Sequence, residues 1–185
     1  MPNPFIPRLT VHDWSEKIGQ DPSEHQAALT RLLKDQRRLS KFIEENRESM
    51  DPATSGVTVY LVGVIARMFD LAGGRLRGAT WEQVRDVSAK VGAEVESLLP
   101  ADASFVERAR GVSWRAQPHI LDEALMALFQ RETAEGETDL PDAEKVKVYL
   151  LLWVATEVLD QNWKTAPGYT GDTSYTYVHL EPKKA

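Results

Sequence analysis

The densest apolar stretch of the chain is GVTVYLVGVIARMFDLAGG, residues 56–74. Val57, Thr58, Val59, Tyr60 and Val62 favour pleated sheet, but the flanks favour a helix. Asp51-Pro52 is a helix start, with Asp as cap and Pro in the first turn, and Gly73-Gly74 is a stop. The interval is far longer than a strand of about 5–6 residues. Val57, Tyr60, Leu61, Val64 and Met68 make one apolar face, and Val59, Val62, Ala66 and Phe69 make another. A helix that is apolar nearly all round is buried among others, so residues 52–72 are predicted as a central helix. The uncharged run between Asp51 and Arg67 is shorter than the roughly 20 residues of a membrane span and contains Thr54, Ser55 and Gly56. No membrane association is expected.

Elsewhere the pattern is amphipathic. Asp21-Pro22-Ser23-Glu24 opens a helix with stripe Leu29, Leu32, Leu39, Ile43 and Met50, predicted to run unbroken to about Met50. Thr80-Trp81-Glu82-Gln83 is a capping box leading into Val84, Val87, Val91, Val95 and Leu98. A short helix over 103–110, another from Pro118, and a last one from Pro141-Asp142 to about Trp163 complete the series. The last carries the uncharged run Val148–Ala155 and is the second central helix. From Ser174 to Leu180 residues alternate as in a strand, with no sheet to join. The prediction is an all-α bundle of five or six helices. An irregular segment (1–20) precedes the bundle (21–163), and an extended C-terminal arm (164–185) follows.

Composition narrows the function classes. The chain has 185 residues, enough for one domain with a real core. A net charge of −6 disfavours non-specific nucleic-acid binding. There is no cysteine, which excludes a thiol nucleophile, Cys-ligated zinc and a disulfide scaffold. The N-terminus has three prolines among its first seven residues and no signal-peptide core, so a cytoplasmic protein is expected. Dinucleotide, phosphate-loop, nucleophile-elbow and His-Glu-x-x-His zinc signatures are absent. Gly171-Asp172-Thr173-Ser174 lacks the lysine and the following helix of a phosphate loop.

Charged residues inside apolar surfaces are the informative exceptions. Arg67 and Asp70 interrupt the first central helix, and Glu157 and Asp160 the second. A buried charge is paired or binds something. A structural Arg67–Glu157 salt bridge is the leading expectation, and a polar ligand pocket lined by all four is the alternative. Gly63, one turn before Arg67, would admit a close neighbouring helix. His119, Asp122 and Glu123 lie opposite a leucine face and read as solvated surface. Arg108, Arg110, Trp114, Arg115 and His119 form a candidate anion or partner patch. Tyr169, Tyr175, Tyr177 and His179 make the arm a candidate interface. No catalytic residues, metal ligands or cofactor are predicted. Two functions are expected to compete: a small acidic protein-binding module (adaptor, inhibitor or immunity-type), with self-association through the arm as one form of it, and a small-molecule- or metal-binding bundle, an enzyme among its alternatives.

Overall fold

The computed structural model describes residues 1–182. Its α-helices are α1 (Arg8–Gln20), α2 (Pro22–Asp35), α3 (Arg37–Arg47), α4 (Pro52–Ala72), α5 (Trp81–Leu98), α6 (Phe105–Arg110), α7 (Pro118–Leu125) and α8 (Asp142–Gln161). The α7 helix continues as a π-helical turn, Met126–Gln130. Two short antiparallel strands, β1 (Arg75–Leu76) and β2 (Trp163–Lys164), tie the ends of α4 and α8 together. Within the all-α class, the described residues form eight α-helices where five or six were expected.

The caps read from the sequence form. The Asp21 and Asp51 carboxylates accept from Glu24 N and Thr54 N, and Thr80 with Gln83 makes a reciprocal box. The centre also forms as expected. α4 packs against α8, α2 and α1, while α8 packs against α5 and α7 as well. Every residue of α8 from Leu151 to Leu159 is buried. A Cβ on Gly63 would lie 2.7 Å from His25 Cε1 and 2.8 Å from Leu29, so glycine is what lets α2 approach α4. The length objection to a membrane span does not hold. α4 continues past Arg67 to 21 residues, and its length and composition alone would suit one.

Three expectations about chain organisation need correction. Residues 1–20 are not wholly irregular: α1 begins at Arg8 and buries Val11 and Ile18. The long helix from Asp21 breaks at Gln36, whose φ of −114° and ψ of 54° are not helical. The Gln36 side chain explains the break, because it is buried, donates to Arg77 O at 2.7 Å and accepts from Ala79 N at 3.1 Å. It satisfies the backbone of the strand-to-α5 loop, and the helix yields to that tertiary contact. Third, residues 174–180 form no strand. The start of the arm is instead pinned to the N-terminus, where Phe5 N donates to Asp172 O at 2.7 Å and Asp172 N donates to Phe5 O at 2.9 Å.

Candidate functional site

The polar face of α7 is buried, not solvated: His119, Asp122 and Glu123 are 2%, 1% and 7% exposed. Both chain ends cover it. From α1, Arg8 Nη1 donates to Glu123 Oε2 at 2.5 Å, and His12 Nδ1 lies 3.2 Å from the same oxygen. From the loop before α7, Arg115 Nη1 donates to Asp122 Oδ1 at 2.8 Å. From the arm, the Tyr175 hydroxyl donates to Asp122 Oδ2 at 2.7 Å. Gln117 adds a brace, accepting from Ile6 N and donating to Pro4 O and to Asp160 Oδ1.

Electrostatics follow from this packing. Burial pushes the Glu123 carboxyl up, but Arg8 and His12 outweigh it and leave it below the ordinary value. Burial lowers His119, with Asp122 and Asp172 opposing. Burial and the bond to Asp122 raise the Tyr175 hydroxyl to about 12.

The four predicted pocket residues do not converge, and the Arg67–Glu157 bridge does not form. Arg67 reaches Glu24 at 3.4 Å and Asp70 at 4.0 Å on the outer side of α4, while Asp70 takes Arg31 at 3.0 Å. Glu157 instead accepts from Ala116 N at 2.8 Å and Trp153 Nε1 at 3.0 Å. Asp160 accepts from Gln117 at 2.8 Å. Burial raises both carboxyls. These acids brace the loop that leads into α7.

The arginine patch is likewise dispersed. Arg108 caps the end of α5 through Leu98 O and Pro100 O. Arg110 bonds Gln130 and lies over the Tyr177 ring. Trp114 stacks on Trp153, with Lys90 over its face. Arg115 and His119 belong to the buried ridge. Of the arm residues, Tyr169 packs edge-on against Trp163 and Tyr175 lies tilted against His119, whereas Tyr177 and His179 are exposed.

A groove of about 840 Å³ lies among α1, α4 and the α7–π segment. Its floor is Val57, Leu61, Val64, Ile65 and Met68 of α4, with Ile120 and Ala124 of α7 alongside. The rim carries Glu16, Arg131 and Glu137, the last two paired at 2.8 Å. Val64, Ile65, Met68, Ile120 and Ala124 are buried in the core as their apolar pattern predicts, and Val57 and Leu61 are the half-buried part of the floor. The spacing Val11, Trp14, Ile18 was the signal for α1, but the groove depends on where α1 and the π-turn come to rest. Cavities lined by apolar groups with a few polar ones at the edge are the usual form of binding sites, and π-turns are frequent at them.

Among the described residues, no three His, Asp or Glu side chains cluster as metal ligands. The chain matches no protein-family model, no curated protein and no solved structure.

Proposed function

We propose that the protein is a binding module, cytoplasmic and acting through surfaces, whose groove receives an amphipathic helix of a partner protein with basic residues on its polar side. The observation that carries this reading is the stripe along α4. From Val57 to Met68 it rises about 16 Å, the length of three helical turns, open at Val57, Tyr60 and Leu61 and closed at its base by buried Val64, Ile65 and Met68, with α1 and the π-turn on either side. Helix-in-groove recognition needs such a stripe to accept anchors spaced three and four residues apart. The exposed Glu16, and a chain charge of −6, complement a basic partner.

The test is a titration of a fluorescent leucine–lysine amphipathic helical peptide at physiological salt. Val57→Glu places a charge on the floor, and Ala127→Trp fills the groove without changing charge. Both variants are checked for folding by circular dichroism. Each should weaken binding about tenfold or more. Equal affinity for all three proteins would refute the groove as the site, leaving only non-specific attraction to an acidic protein.

A second reading rests on the size of the groove, which also suits a small apolar ligand of the class that fills cavities of about 300–1,000 Å³. Extra mass lost on mild denaturation in native mass spectrometry would favour it over the helix. Self-association is a narrower proposal and falls to the exposed Tyr177, Val178 and His179 at the end of the arm.

A further inference from the structure

The first turn of α1 begins without a side-chain cap: Pro7 stands at the N-cap, and no acidic residue follows in that turn. Backbone N–H groups and the positive end of the helix dipole are therefore available there. Pro7, Arg8 and Leu9 line a cleft of about 560 Å³ against the arm, shared with His119, Asp172, Thr173, Ser174 and Thr176. The segment Gly171–Ser174 has no helix following it in sequence. The fold supplies one by bringing α1 to it.

Two buried side chains lining this cleft have unused hydrogen-bonding capacity. Arg8 is 4% exposed and His119 is 2% exposed. Among the described residues, Arg8 Nε and both ring nitrogens of His119 have no hydrogen-bond partner. Asp172 Oδ2 lies 3.3 Å from His119 Nε2, at ion-pair distance but without hydrogen-bond alignment. Buried polar atoms left without partners are costly and call for an ion, a water or a role. The Asp172 side chain is 48% exposed, and its backbone is held by Phe5, so the carboxylate can turn to solvent without unpinning the arm.

The donors decide the sign of the ligand, because the uncapped first turn of α1, Arg8 Nε and the His119 ring offer N–H groups while most nearby charges are paired. Glu123 neutralises Arg8, and Asp122 neutralises Arg115. His119 faces Asp122 on its own helix, Arg8 on α1, and Asp172 and Tyr175 on the arm. Among the described residues lining the cleft, Asp172 is the acidic one, and it stands between the helix terminus, His119 and an incoming anion. We infer that this cleft binds a phosphate-sized oxyanion through the first-turn amides of α1, Arg8, His119 and the hydroxyls of Thr173 and Ser174, with the Asp172 carboxylate as its internal competitor. Anions at helix N-termini are stabilised by these same groups.

The experiment is an NMR titration of histidine-labelled full-length protein with inorganic phosphate, at constant ionic strength and near pH 6.5. His119→Gln assigns the resonance, and Arg8 and Leu9 amides give a second readout. Saturable shifts at His119 and at both amides are expected. Asp172→Asn should tighten binding about fivefold, and His119→Gln should weaken it at the amides about tenfold. Acetate saturating the same resonances would support the site and make a carboxylate an equal source of the anion. Shifts that grow linearly without saturating, or an affinity unchanged by Asp172→Asn, would mean an adventitious ion only and overturn the inference.

Discussion

The α4–α8 centre and the α7 ridge are buried to the same few per cent by opposite means. In the centre, Leu152, Val154 and Ala155 are enclosed because they and most of their neighbours are apolar. On the ridge, Asp122 and Glu123 are enclosed because Arg115, Arg8, His12 and Tyr175 neutralise or bond them. Arg8 is 115 residues from Glu123, and Tyr175 is 53 from Asp122. The centre is held by elements that bury themselves, the ridge by the two ends of the chain. Apolar burial is non-directional and tolerates small errors of placement. Buried charges demand particular partners, and losing one leaves the other exposed to the full desolvation cost.

The largest effect that should separate the two regions is the loss of a ridge partner. Arg8→Ala leaves Glu123 buried with only His12 and should cost about 3–5 kcal/mol in denaturant unfolding. The double change Arg8→Met with Glu123→Leu should recover most of that loss, because it replaces a desolvated pair with apolar contact. A double variant no more stable than Arg8→Ala would show that the ridge needs its charges for more than mutual neutralisation.

Acid should loosen the ridge next. His119 is held below its ordinary value, so folding favours its neutral form. That stability is complete above about pH 6.5 and is lost as pH falls through the folded-state value. Glu123, also lowered, acts in the same direction at more acid pH. The melting temperature should fall between pH 7.5 and pH 5.5, and His119→Gln should flatten part of that slope. His25, lowered by burial between α2 and α4, accounts for a further part. An unchanged slope in His119→Gln would assign the whole effect to other groups.

The smallest effect is expected at Arg67. Its partner Glu24 is more than half exposed, so Arg67→Ala should cost about 1 kcal/mol or less. A loss as large as that of Arg8→Ala would erase the distinction between surface and ridge pairs.

Much of the frame was legible because it rests on local chemistry. Asp51-Pro52 and Gly73 delimit α4, Thr80 and Gln83 start α5, and Gly63 marks the close approach of α2. The ridge was misread for a physical reason. An amphipathic helix shows which side is polar, but not whether water or other polar groups meet that side. His119, Asp122 and Glu123 have the periodicity of a solvated face, and the groups that cover them lie near both termini. The same holds at Gln36, where no local signal opposes helix and a bond to the Arg77 carbonyl ends it.

The sequence by itself therefore determined the all-α class, the two central helices and the caps of α2, α4 and α5, since caps and apolar periodicity act over a few residues. Only the tertiary structure decided which charges pair, where the chain ends lie and which apolar stripe stays open as a groove. Those outcomes depend on contacts between residues far apart in the chain, whose energies no local window contains.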